Sequence, residues 1–284
     1  SAASDVYKRQ IVTNDPTKRY YYTLLFDDKY RVKIATRNIN IPGVQNFRDL
    51  GGYPSYSTKK QMRWGMIYRS AEIDSLECYS RRELRNLGIK TLIDLRASSE
   101  TGRQSPLQKE FNVVHIPLAT GDMENILKGI REEKIKSDTV YRMVEQMNRD
   151  LIDKYTTEYR QIFDILLDKN SYPVVIHCSS GKGRTGIVSA LVLAALGINE
   201  DIIMEDYRLS NDYFNIPSAS KDAYQLPARS QEAITTLFSA REDFLNAAKE
   251  EAERRYGDID SYLQKGIGLN KDEIKRLRSI LLSD

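Results

Sequence analysis

The chain is poor in the residues that hold metals and cross-links. Its two cysteines, Cys78 and Cys178, are too few and too far apart for a disulfide framework or a zinc site. Two histidines, His115 and His177, leave no histidine metal cluster, so neither a metal nor another cofactor is expected. No apolar run reaches the roughly 20 residues of a transmembrane helix, and no signal peptide is recognisable. A charge excess is missing too: 43 Lys and Arg stand against 40 Asp and Glu, and a net charge of +3 excludes a basic field of nucleic-acid size. There is no internal repeat. The chain begins at Ser1 without Met, and residues 1–10 read as an assembly scar. An export signal upstream, and with it a secreted or periplasmic rather than cytoplasmic location, is left open.

What is present can bury a full core: 284 residues, 40% of them apolar, suit one large domain or a domain with an appendage. The chain is organised around Val174-Val175-Ile176-His177-Cys178-Ser179-Ser180-Gly181-Lys182-Gly183-Arg184-Thr185-Gly186-Ile187. Pro173 to His177 reads as a short β-branched strand, and Thr185 to Leu196 as an almost unbroken apolar helix closed by Gly197. The loop between them lies at a helix N-terminus, where unpaired N–H groups and the macrodipole favour a dianion. Gly181, Gly183 and Gly186 permit the tight fold that turns amides inward. The same field stabilises a thiolate, lowering the Cys178 thiol from about 8.5 to roughly 4–7. Arg184 is placed to return across the loop and hold two phosphate oxygens in its planar fork. Ser179, Ser180, Gly181, Lys182 and Gly183 supply the rest of a phosphate cradle, which would also take a phosphate or sulfate ion.

Three other readings compete. Cys178 as an inert buried thiol does not require the loop around it. A nucleotide P-loop needs Gly where Ile176 stands and Ser or Thr where Gly183 stands, and is rejected. A catalytically inactive phosphate-binding module remains as the alternative of another class.

Cys-x5-Arg-Thr with a preceding His resembles the signature of the cysteine-dependent protein tyrosine phosphatases. Asn46-Phe47-Arg48-Asp49-Leu50-Gly51-Gly52 and Arg63-Trp64-Gly65-Met66-Ile67-Tyr68-Arg69-Ser70 narrow the resemblance to the bacterial NFRDLGG-type members, from about Ile39 to the C-terminus. That resemblance implies a central sheet flanked by helices and a phosphorylated protein or phosphoinositide as substrate. It implies that Cys178 attacks phosphorus to form a phosphocysteine, Arg184 binds the phosphoryl group, Thr185 donates to the sulfur and His177 orients the loop. Members of this group often carry Asp immediately before the P-loop Arg, where this chain has Gly183. Gly181-Lys182-Gly183-Arg184-Thr185-Gly186 instead looks like the P-loop of phosphoinositide 3-phosphatases, which have a further lysine where Ser179 stands. Lys182 then either meets a second phosphate on an inositol ring, or only raises the field on the thiolate or faces solvent.

In chain order, Arg19 to Phe26 and Tyr30 to Thr36 flank Asp27-Asp28-Lys29 as a β-hairpin, within an N-terminal segment 1–38 that must pack on the main domain or be the remnant of a small β domain. The catalytic domain is expected over 39–284. Arg48 and Asp49 read as a buried ion pair that ties their loop to the sheet. Ser80 to Leu87 reads as a helix, with Lys90 to Leu95 and Val113 to Pro117 as strands, an alternation that argues for an α/β sheet covered on both faces. Asp94 stands at a strand's C-terminal end, where ligands sit in such sheets, as a P-loop partner, a general acid or a strand-end cap. Asp122 follows the strand ending at Pro117, comparable to the acid-bearing loop of dual-specificity and lipid phosphatases, and is the other candidate proton donor. Helical pattern runs from Met123 to Leu167 with a break near Ser137-Asp138. Asp201 to Leu209 reads as a helix, Ser210 to Tyr213 as a loop, Ser230 to Tyr256 as one long helix, and the C-terminus as helical.

Overall fold

The computed structural model describes residues 18–27, 29–74, 76–101 and 106–283; the Ser1 to Gln10 stretch and Asp28 of the hairpin turn lie outside them. Nine strands are assigned among the described residues. They are β1 (Tyr22–Phe26), β2 (Tyr30–Ile34), β3 (Arg48–Asp49), β4 (Pro54–Ser55), β5 (Lys60–Gln61), β6 (Ile67–Ser70), β7 (Thr91–Asp94), β8 (Asn112–His115) and β9 (Val174–His177). The first six α-helices are α1 (Cys78–Asn86), α2 (Met123–Arg131), α3 (Ser137–Lys154), α4 (Thr156–Leu166), α5 (Gly183–Ala195) and α6 (Glu200–Arg208). The rest are α7 (Ser210–Tyr213), α8 (Ile216–Ala219), α9 (Ala228–Phe238), α10 (Glu242–Tyr256), α11 (Ile259–Ser261) and α12 (Lys271–Leu281).

Five strands form the central sheet in the order β3-β6-β9-β7-β8. All neighbours are parallel except β3, which runs antiparallel on the β6 edge. Side chains alternate between faces: Ile67, Ile93, Val174 and Ile176 enter one core, Tyr68, Leu92 and Val175 the other. Both faces are therefore covered, which explains why these strands read as continuous apolar runs. Register places Ser70, Asp94 and His177 side by side at the C-terminal ends of β6, β7 and β9. The chain leaves that central position through Cys178 into α5. A third cluster, with Ile130, Val140, Leu237 and Phe244, joins α2, α3, α9 and α10 into a helical layer.

Four expectations change. Ser230 to Tyr256 is not one helix: α9 ends at Phe238 and α10 starts at Glu242. The connecting Ala240 is held from outside, its N–H donating to Asn211 Oδ1 at 2.7 Å and its carbonyl accepting from Asn211 Nδ2 at 3.0 Å. Ser210 to Tyr213 is a helical turn rather than a loop. The helical stretch from Met123 breaks twice, before Ser137 and again at Tyr155. Arg48 and Asp49 are both buried but do not pair with each other: Arg48 meets Asp206, and Asp49 meets Arg19 at 2.6 Å. Their side chains point to opposite faces of a strand, so neighbours in sequence take different partners.

The hairpin forms as β1 and β2, with Asp27 at a φ of 49° in the turn. Its aromatic and aliphatic side chains lie open on both faces, Tyr30 at 69% and Phe26 at 50% exposure. The ribbon is tied down by Arg19 and by Trp64, whose Nε1–H donates to Lys33 O at 2.8 Å. Among the described residues no helix is long and apolar enough to cross a membrane.

Candidate active site

Cys178 lies at the bottom of the turn from β9 into α5 and is almost fully buried. Burial alone would push its thiol up, since a thiolate loses solvation. The Arg184 guanidinium, the Thr185 hydroxyl, and the backbone N–H groups of Thr185 and Gly181 outweigh that penalty and bring it below the ordinary thiol value. The Thr185 hydroxyl is buried without a hydrogen-bond partner among the described residues, near enough to the sulfur to lower the thiol. The site can thus hold a thiolate that is shielded from bulk water.

The loop owes its shape to neighbours remote in sequence. Gly181 sits at a φ of +67°, and a Cβ there would come within 2.4 Å of the Ser70 backbone, so only glycine fits. The Gly181 carbonyl accepts from Arg69 Nη2 at 2.8 Å and, with the Ser180 carbonyl, from Asn46 Nδ2 at 3.1 Å. Arg69 Nη1 in turn bonds Asp206 at 2.6 Å, and Asp206 also accepts from Tyr53 Oη at 2.9 Å and lies 3.4 Å from Arg48 Nε. Burial pushes the Asp206 carboxyl up, but Arg48 and Arg69 hold it down to about 2. This buried cluster supports the loop from below.

The Arg184 fork faces Glu100, with Nη2 at 2.8 Å from Oε1 and Nη1 on Oε2. The Ser179 hydroxyl donates to the same carboxylate at 2.6 Å. Half-buried, Glu100 would be pushed up by burial, but Arg184 and Ser179 draw it down to about 2. Arg184 Nη1 also reaches Leu118 O at 3.3 Å, so the loop leaving β8 passes beside the fork.

Asp94 and Asp122 stand differently. Asp94 accepts from Arg96 Nη2 at 2.7 Å and from the Arg96 backbone N–H at 3.0 Å, and lies 3.9 Å from His177 Nδ1. These contacts overcome burial and keep it ionised below the usual carboxylate range. Burial takes His177 down to about 4, so it is neutral near pH 7. Asp122 is exposed and caps α2, accepting from Asn125 N at 3.0 Å and Asn125 Nδ2 at 2.6 Å. Gly183, which stands where members of the resembled group often carry Asp, is open: a Cβ there meets nothing within 4 Å.

Lys182 neither faces solvent nor enters the cradle. It is 6% exposed, and its Nζ donates to Leu237 O at 2.7 Å and Ser239 O at 2.9 Å, 5.8 Å from the centroid of the Phe244 ring.

A cysteine set at a helix N-terminus beneath an arginine fork is suited to attack on phosphorus. Residues 39–283 match the tyrosine phosphatase family. The chain belongs to that family. This tyrosine phosphatase is 30% identical over 285 residues to the triple specificity protein phosphatase PtpB of Mycobacterium tuberculosis, an alignment that covers 85% of this chain and 98% of PtpB. It is 25% identical over 221 residues to a tyrosine-protein phosphatase of Nostoc commune, covering 74% of this chain and 72% of that one. It is accordingly a cysteine-dependent phosphatase of α/β fold that hydrolyses phosphomonoesters.

Sequence reading missed Asn46, Arg69, Glu100 and Asp206 in this phosphatase. Asn46 and Arg69 lie inside the two stretches already quoted for the resemblance, which was a usable signal. Glu100 and Asp206 carried none, because a carboxylate that will meet an arginine from a distant segment looks in sequence like any surface acid.

Proposed function

We propose that Cys178 is the nucleophile of a two-step hydrolysis of phosphotyrosine in proteins. The observation that carries this is the Cys178 thiol, lowered below its ordinary value inside the protein by Arg184, Thr185 and inward-facing amides. The thiolate forms the S–P bond as the P–O bond to the leaving group breaks, and a proton passes to that oxygen. Arg184 and the N–H groups of the loop stabilise the charge gathered on the equatorial oxygens. Water then attacks phosphorus, the S–P bond breaks and inorganic phosphate leaves. Thr185 donates to the sulfur as leaving group, Ser179 and Glu100 aim the arginine fork, and His177 with Asp94 fixes the strand end from which the loop departs. Residues 39–284 carry this chemistry, with 1–38 as an appendage.

Asp94 is ionised and held by Arg96, which suits it to support and not to proton donation. We assign the leaving-group proton to Glu72. Its backbone N–H donates to Ser179 O at 3.3 Å, on the loop that leaves β6 at the same end of the sheet. Partial burial raises its carboxyl; Arg96, 3.6 Å away, opposes the shift, while Asp74, Glu100 and Asp94 add to it. Asp122 is the alternative donor, from its place beyond Leu118.

Turnover measured on phosphotyrosine peptide, phosphoserine peptide and a soluble phosphoinositide tests the reading. Hydrolysis of the first is expected, with Cys178→Ser inactive yet still binding phosphate, because the amides and Arg184 remain. Full activity in Cys178→Ser would sink it.

A further inference from the structure

The buried P-loop lysine is the feature that the reaction leaves unused. Its place in the loop invites a role on a second phosphate of the substrate, but its contacts run the other way. The two acceptors of Lys182 Nζ are main-chain carbonyls at the end of α9 and in the link to α10. Carbonyls at a helix C-terminus lack intrahelical partners and carry the negative end of the macrodipole, which a cation satisfies. The remaining donor direction is bounded by the Phe244 ring, itself fully buried. Turning the ammonium toward a ligand would strand Leu237 O inside the protein, at the cost of an unpaired buried acceptor. The same link is also gripped by Asn211, through the backbone N–H and carbonyl of Ala240. Lys182 therefore stands between the loop that binds phosphate and a break between two helices that its own hydrogen bonds help to hold.

We propose that Lys182 is a positioning residue that fastens the P-loop to the α9–α10 link, and that it holds no second phosphate of the substrate. The proposal rests on the assignment of Cys178 as nucleophile in this loop. It makes the helical layer part of the machinery at one remove: whatever shifts the α9–α10 link shifts the loop. Burial lowers the lysine to about 7, while the Cys178 thiolate pulls it back up, so sulfur and ammonium also sense each other.

The test compares Lys182→Met and Asn211→Ala, singly and together, with the unaltered enzyme. The substrates are phosphotyrosine peptide and a soluble inositide bearing two phosphates, and the rate of Cys178 alkylation is followed against pH. Lys182→Met is expected to lower kcat/KM by about ten-fold or more on every substrate the unaltered enzyme turns over, the size expected when hydrogen bonds to a charged group are lost. It should also raise the pH at which Cys178 becomes reactive. Asn211→Ala should move both readouts in the same direction, and the double variant should lose less than the product of the two single losses, since both act on one link. A loss confined to the doubly phosphorylated substrate would make Lys182 a substrate contact and overturn the proposal. So would a fall in thermal stability with kcat/KM and the alkylation profile unchanged. Should Lys182→Met not fold, Asn211→Ala alone decides, and normal turnover with normal alkylation overturns the proposal. Failure of the nucleophile assignment shows separately, as full activity in Cys178→Ser.

Discussion

At the scale of single residues, the site pairs an intact nucleophile and arginine with an unusual position just before that arginine. Gly183 has no positive φ and open space where a Cβ would stand, so Gly183→Asp should fold without strain. It would place a carboxyl one residue from Arg184, where many NFRDLGG-type sequences have one. The expected outcome is faster hydrolysis of alkyl phosphates, whose leaving groups need a proton, with little change on nitrophenyl phosphate. An equal response on both substrates would show that the new carboxyl does not reach the leaving oxygen. The native donor is separated by the same contrast. Glu72→Gln should cost about 10²–10⁴-fold on an alkyl phosphate, the usual range for general acid catalysis, and far less on a nitrophenyl ester. Asp122→Asn should leave both rates nearly unchanged. The reverse pattern would transfer the role to Asp122.

At the scale of elements, the stretch from β9 into α5 was legible because everything it does is local. An apolar strand, a glycine loop and an apolar helix follow one another, and the chemistry sits within seven consecutive residues, Cys178 to Arg184. What braces the loop was not legible, because Asn46, Arg69 and Asp206 are polar groups whose burial exists only once distant segments meet. The misread break at Ser239 has the same origin: the segment holds neither Gly nor Pro, and tertiary hydrogen bonds from Lys182 and Asn211 end the helix. The bracing cluster has a pH signature. Asp206 is depressed to about 2 in the folded protein against an unfolded value near 3.9, so its contribution is present above about pH 4 and lost as pH falls toward 2. Asp206→Asn should therefore lower stability at neutral pH and flatten its dependence between those limits, as read by urea unfolding at a series of pH values. An unaltered slope would mean that other carboxylates carry acid unfolding.

At the scale of the whole molecule, the N-terminal ribbon is bound to the catalytic unit largely through Arg19 and Asp49. Asp49 is buried and raised by that burial, opposed by Arg19 and by N–H donors from Gly51 and Gly65. Arg19→Met leaves a buried carboxylate without its cation, a loss of up to about 3–5 kcal/mol when one partner of a buried pair is removed. Adding Asp49→Asn should recover much of it in chemical denaturation, and removal of residues 1–36 in that background should leave an active phosphatase. Loss of turnover in that shortened form would place the ribbon inside the catalytic unit. The cluster of Arg48, Asp206 and Arg69 carries a further consequence, for how this protein can change. The two arginines share one carboxylate, so loss of Asp206 leaves two buried cations uncompensated, whereas loss of Arg48 leaves a neutral pair. Arg69 also donates to the Gly181 carbonyl, so of the two cations it is the one that the phosphate loop needs. In a combinatorial library selected for phosphatase activity, Arg48 should therefore be exchanged more freely than Asp206 or Arg69.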